Sequence, residues 1–220
     1  MPLKDVEGFN PMEAFLHPKK TVLAALEFPS IATAIALLLI PWILQFAVLV
    51  VFSVKMPFEG VAANMALQIG LFFLQAFLIF LLARKFGNRD RKLLEGTISA
   101  FSLTQLTILV SVVFTIIAIA LNPEIVTAAN QWNAGQLLPQ DLAQNAFDGL
   151  MRNVFLALPF YIVGVVLTVW MSILWLYIAF RTVHESTKVN AFGSILLLVA
   201  VMVASSIVQY IIVLLGILPL

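Results

Sequence analysis

Cysteine is absent from all 220 residues. That excludes disulfides, thiolate nucleophiles and Cys-ligated metals, and it leaves the redox compartment open. Charge is nearly as scarce: Asp, Glu, Lys and Arg make up 10% of the chain, where a soluble domain carries roughly a quarter. So few charges cannot cover a water-soluble surface of this size. The net charge of +1 creates no global field that would point to a polyanionic partner. Enzyme signatures are missing too. There is no H-E-x-x-H helix and no G-x-S-x-G elbow, and the chain's two histidines, His17 and His184, lie far apart in sequence. Neither an enzyme nor a bound cofactor or metal is expected. The first thirty residues carry Lys4, Asp5, Glu7, Glu13, Lys19, Lys20 and Glu27, so no apolar core of a signal peptide is present there.

What the sequence does contain is long apolar runs. A helix needs about twenty apolar residues to cross the hydrocarbon core. Five segments meet that length with no acidic, basic or histidine residue inside: 31–54, 61–83, 97–121, 154–180 and 189–218. They are continuously apolar rather than alternating, which favours helices over a barrel. The expected fold is an all-α, polytopic membrane bundle of five helices (31–220), preceded by an N-terminal interfacial segment (1–30). Ser30 is placed to cap the first span, and Asn10 with Pro11 to start a short helix. Pro41 and Pro159 fall inside spans, where a kink is tolerated. Pro57 and Gly60, Gly87-Asn88, and Asn122-Pro123 punctuate the connections. Residues 9–30 and 122–152 mix polar and apolar positions, and short amphipathic helices at the membrane surface are expected there, with Trp132 as an interface anchor.

Lys and Arg collect on the cytoplasmic side of membrane proteins. Lys4, Lys19, Lys20, Arg84, Lys85, Arg89, Arg91, Lys92, Arg181 and Lys188 fall on one side of the expected bundle, and only Lys55 and Arg152 on the other. The N-terminus is therefore expected in the cytoplasm and the C-terminus outside. The loop "ARKFGNRDRKLLEG" (83–96) holds five of these basic residues. It reads first as a topology signal and second as a contact for anionic lipid through Arg84, Lys85, Arg89, Arg91 and Lys92. With Phe86 as its one aromatic it has no base-stacking series, so nucleic acid is not an expected partner.

Polar residues inside the spans are the remaining candidates. Asn64, Gln68 and Gln75 share one face of span two. Ser99, Ser102 and Gln105 share another on span three, with Thr104, Thr107, Ser111 and Thr115 as a tighter stripe. Counting from the inner ends puts Gln75 level with Gln105, and Gln45 near the depth of Gln68. Interhelical hydrogen bonds among Gln45, Gln68, Gln75 and Gln105 are the first expectation, and a polar lining for a solute path the second. Proton coupling is not expected, because the spans carry no Asp, Glu, Lys, Arg or His. Trp170 and Trp175 read as packing residues, and Ala200 with Ala204 as a small-residue contact on span five.

Asn10-Pro11, His17-Pro18-Lys19, "LLARKFGNRDRKLLEGTISAFSLTQL" (81–106) and "WLYIAFRTVHESTKVNAF" (175–192) together resemble the Yip-domain (YIPF) family in its short prokaryotic form. The resemblance covers nearly the whole chain through loose motifs. Phe101 and Gln105 stand where the family's third span often has Tyr and Pro, and the loop's glycine pair is Gly87-Asn88. The resemblance implies a non-enzymatic, five-span protein of the cell membrane with a cytoplasmic N-terminus. It would act through protein or lipid partners, with self-association among the options. Eukaryotic members are associated with vesicle trafficking and Rab-type GTPases, a role not expected of a short prokaryotic type. Two alternatives stay open: a small-solute transporter or pore lined by the glutamine-bearing faces, and a membrane subunit of a larger permease.

Overall fold

A computed structural model describes residues 10–53, 58–121 and 154–215, with isolated positions at 126, 127, 130, 131, 134 and 144. Lys4, Lys55, Pro57, Asn122-Pro123, Trp132, Arg152 and residues 216–218 lie outside the described residues. The chain forms an all-α bundle with five helices long and apolar enough to cross a membrane, and no strand occurs among the described residues.

The N-terminal segment begins with a 3-10 turn at Pro11–Phe15. Asn10 caps it by accepting a hydrogen bond from the Met12 amide at 3.1 Å. Helix α1 (Pro18–Glu27) follows, then α2 (Ile31–Val51), whose cap Ser30 accepts from the Thr33 amide at 3.3 Å. Proline at position 41 is buried within α2. Helix α3 (Phe58–Lys85) leads through the basic loop to α4 (Leu93–Ser102). A 3-10 turn at Leu103–Gln105 joins α4 to α5 (Leu106–Leu121), and together these form the third span. The last two spans are α6 (Val154–Thr187) and α7 (Ala191–Leu214).

Two boundaries differ most from those expected of the sequence. The third span starts at Leu93 rather than Thr97, because nothing in Leu93-Leu94-Glu95-Gly96 breaks a helix. The fourth continues through Arg181–Thr187, which the sequence reading placed in a loop. Charged residues do not end a helix on their own, and the first breaking conformation is the left-handed backbone of Lys188 (φ 56°). At 1.5 Å per residue, the 34 residues of α6 reach roughly 50 Å, against a hydrocarbon core of about 30 Å. Its polar last two turns can therefore stand beyond the apolar layer.

Helix α4 is the hub. It packs against α1, α2, α3 and α6, whereas α2 and α3, neighbours in sequence, pack far more on α4 than on each other. One core cluster joins Leu38, Phe72, Ala76, Ile79, Phe101, Ala179, Val183, Leu198 and Val201, with Phe72 stacked on Phe101 at 5.5 Å. A second joins Ala14, Val22 and Ala25 of the N-terminal segment to Ala100, Leu103, Leu106, Leu174 and Ile178. A smaller third holds Val48, Val112 and Ile119, with Phe52 and Val126 against it. The N-terminal segment is thus part of the core: α1 buries Thr21, Val22 and Ala25 against α4 and α6. It still leaves Met12, Leu16, Leu23 and Phe28 exposed. The approach is close at Gly96, where a Cβ would stand 2.9 Å from the Leu26 carbonyl oxygen.

Two packing expectations are corrected. Trp175 packs against the main core cluster, but Trp170 is exposed and faces outward. On α7 the buried stripe is Ser194, Leu198, Val201 and Ser205, while Ala200 is exposed. The small residues at the contact are serines on a neighbouring stripe, not the Ala200–Ala204 pair.

Candidate functional site

Polar groups behave differently at the two depths of the bundle. In the apolar part of the third span the hydroxyls bond back to their own helix. Thr97 donates to the Leu93 carbonyl, Ser102 to Ser99, Thr104 to Phe101, Thr107 to Thr104, Ser111 to Ile108 and Thr115 to Ser111, all at 2.7–3.0 Å. Such back-bonding satisfies a hydroxyl without a partner helix and perturbs the local turn. It accompanies the 3-10 segment at Leu103–Gln105. The polar stripe of span three therefore does not join helices, apart from Ser99.

The four glutamines do not tie the bundle together either. Gln45 is exposed, while Gln68, Gln75 and Gln105 are half-buried. Among the described residues the hydrogen bond found for this set is the Gln105 side-chain amide donating to the adjacent Thr104 hydroxyl at 3.4 Å. Gln75 lies three residues to the loop side of Phe72, and Gln105 four residues to the far side of Phe101, so the Phe72–Phe101 stack separates two side chains that were expected to be level.

Most bonds between distant segments lie at the end that carries the basic loop; at the opposite end Asn130 Nδ2 donates to the Ser53 carbonyl at 3.1 Å. The Ser30 amide donates to Ser99 Oγ at 3.1 Å, joining the α1–α2 junction to α4. Asn88 Nδ2 donates to the Ser186 carbonyl at 2.8 Å, so the loop caps one of the open carbonyls at the end of α6. Asn88 also accepts from the Asp90 amide at 3.2 Å, and Asp90 from the Lys92 amide at 2.8 Å, which shapes the loop. On α6, Arg181 pairs with Glu185 at 2.6 Å, and both are largely shielded from solvent. His184 lies flat against Phe180 at 5.7 Å, and its Nδ1 lies 3.1 Å from Ser194 Oγ across the α6–α7 turn. That turn is set by Asn190, whose side chain accepts from the Gly193 amide at 2.8 Å. The Asn190 cap is the kind of signal a sequence shows, an Asn just before an apolar run.

The basic side chains themselves stay free of this network. Arg84, Lys85, Arg89, Arg91 and Lys92 are all exposed, and Arg84 lies over the Phe80 ring at 5.7 Å. Loop backbone and Asn88 hold the structure, while the charges are presented outward.

Two cavities flank these features. The larger, about 1410 Å³, lies between the N-terminal segment, the α3–α4 loop and the end of α6. Charged groups of both signs line it, including Glu13, Lys19, Glu27, Asp90, Glu185 and Lys188. Ser186 is in its wall, buried, with an Oγ that has no hydrogen-bond partner. The smaller, about 670 Å³, is a groove between α5, α6 and α7 lined by Thr107, Ser111, Thr168 and Ser172 among apolar residues. None of the four glutamines lines either cavity. Among the described residues no group of three or more His, Asp or Glu could hold a metal ion.

No protein family, curated protein or solved structure matches the chain.

Proposed function

We propose that this chain is a non-enzymatic, Yip-like scaffold of a prokaryotic cell membrane. Its N-terminus lies on the cytoplasmic side, and it acts through protein or lipid partners, with a second copy among the protein partners. The observation that carries the reading is the division of polar groups. Three bonds between separate elements lie beside the basic loop and one, from Asn130 to Ser53, at the opposite end; among the described residues the apolar layer holds no Asp, Glu, Lys, Arg or His, and the hydroxyls of Thr104, Thr107, Ser111 and Thr115 are satisfied within their own helix. A protein built this way presents a fixed, charged surface at one face of the membrane and offers no polar path through it. The outward-facing Arg89, Arg91 and Lys92 support a contact with anionic lipid headgroups, where each basic residue contributes about 1 kcal/mol.

A cysteine-free chain makes the test direct. Single cysteines at Gln45, Gln68, Gln75 and Gln105 are expected to resist small hydrophilic thiol reagents in intact membranes, while one at Arg91 reacts only when the inner face is open. Reaction at the glutamine positions from the outside would sink the scaffold reading in favour of a pore. That second reading, a transporter or permease subunit, has one feature in its favour, the groove bearing Thr107, Ser111, Thr168 and Ser172. Each of those hydroxyls already donates to its own helix.

A further inference from the structure

The 1410 Å³ cavity breaks local rules in the same places where it carries charge. Lysines 19 and 20 occupy the first turn of α1 and Glu27 its last position. The helix dipole favours the reverse, anions at the start and cations at the end. Lys188 adopts a left-handed backbone (φ 56°), a conformation that suits glycine and costs other residues. Sequences obey such rules unless something else is served, and breaches collect at functional sites. All four of these residues line the cavity, together with Asp90.

The charges also narrow the ligand. A simple anion entering the cavity would meet Glu13, Glu27, Asp90 and Glu185, and a simple cation would meet Lys19, Lys20 and Lys188. Glu13 is engaged by Lys20 at 3.8 Å and Glu185 by Arg181. That leaves Glu27, and the oxygen of Asp90 that the Lys92 amide does not occupy, to receive a positive group, and Lys19 and Lys188 to receive a negative one. Leu16, Leu23 and Phe28, exposed beside these charges, make an apolar rim. Ser186 adds an unpartnered buried hydroxyl in the wall.

We infer that this cavity binds the headgroup of a zwitterionic phospholipid carrying a primary amine. The phosphate would lie against Lys19 and Lys188 and the ammonium against Glu27 and Asp90, with the acyl chains leaving past Leu23 and Phe28. A primary ammonium has three N–H donors for carboxylates, whereas a quaternary ammonium has none. The inference rests on the chain sitting in a bilayer and not on the scaffold reading, so either can fail alone.

The test uses the purified full chain in detergent with equal amounts of phosphatidylethanolamine, phosphatidylcholine and phosphatidylglycerol of identical acyl chains. Bound lipid is counted by native mass spectrometry. One phosphatidylethanolamine is expected to be retained in preference to the other two. The Glu27→Gln/Asp90→Asn variant should lose that retention by about tenfold, the value of a charge-assisted contact, while its weaker phosphatidylglycerol signal holds. Its thermal midpoint should not fall, because Glu27→Gln removes a charge that opposes the α1 dipole. Lys19→Gln/Lys188→Gln should weaken both lipids. Arg89→Gln/Arg91→Gln, outside the cavity, should leave phosphatidylethanolamine unchanged. Equal retention of phosphatidylcholine, preference for phosphatidylglycerol, or loss of binding in the Arg89/Arg91 variant would overturn the proposal. So would displacement of the lipid by an equal concentration of soluble glycerophosphoethanolamine, which would make the ligand a free solute.

Discussion

The loop end of the bundle and its apolar middle both contain hydroxyls that bond back to their own helix, such as Thr182 and Thr187 at the loop end, but the loop end also uses polar groups to join separate segments. At the loop end, Ser30–Ser99, Asn88–Ser186 and His184–Ser194 join segments 69, 98 and 10 positions apart in sequence. In the middle, Thr104, Thr107, Ser111 and Thr115 close on carbonyls three or four residues back. Where water is near, an open carbonyl such as that of Ser186 can be reached by a loop. In hydrocarbon, each hydroxyl must find an acceptor at once, and the nearest is its own helix. Cohesion of the middle therefore comes from shape, such as Phe72 on Phe101 and Val48 packed with Val112 and Ile119. Cohesion of the loop end also comes from directed bonds.

The largest expected effect lies at the junction of the two regions. Gly96→Val would place side-chain atoms against the Leu26 backbone, which has no rotamer to turn away. Overpacking of this kind costs about 1–3 kcal/mol. Because α1 is the lighter partner, it should detach while the spans persist. Helix content by circular dichroism should hold, and tryptic cleavage at Lys19 and Lys20 should accelerate. If the whole bundle melts instead, the two regions are one cooperative unit and the contrast between them weakens.

A smaller effect tests the contrast itself. Asn88→Ala leaves the Ser186 carbonyl open, and Ser99→Ala removes the acceptor of the Ser30 amide. Each should lower stability by about 1 kcal/mol, read as a lower thermal midpoint in detergent. Gln68→Leu and Gln75→Leu, which break no hydrogen bond among the described residues, should stay within about 0.5 kcal/mol or rise. A Gln75→Leu loss as large as that of Asn88→Ala would show that the middle is also held by polar ties.

The spans were legible because hydrocarbon imposes one demand, an unbroken apolar length. Ile31–Val51 and Ala191–Leu214 begin within two residues of the runs read from sequence. The caps at Asn10 and Ser30 were legible because they are local, each using an acceptor two or three residues from its donor. The pairing of Asn88 with Ser186 was not, since either residue alone is an ordinary loop or helix-end residue. The docking of α1 was half visible. An amphipathic helix was expected there, but the surface that receives Thr21, Val22 and Ala25 depends on Gly96, some seventy positions away, and on the helix continuing down to Leu93. The glutamines misled for a physical reason: equal depth along two helices does not fix the face each side chain takes.

The smallest expected effect concerns the basic loop. Arg84 is the one member of the cluster with a defined contact, its guanidinium over Phe80 at 5.7 Å. An exposed pair of this kind is worth about 0.5–1 kcal/mol at most. Arg84→Gln should therefore shift the thermal midpoint barely above error. Arg91→Gln, with no contact to lose, should not shift it at all. Both substitutions remove one charge from the loop, so their effects on orientation and on binding to anionic vesicles should be equal. If Arg84→Gln alone weakened vesicle binding, the ring beneath it would be positioning that side chain for the lipid. The loop would then belong with the structured end of the bundle and not only with its solvated surface.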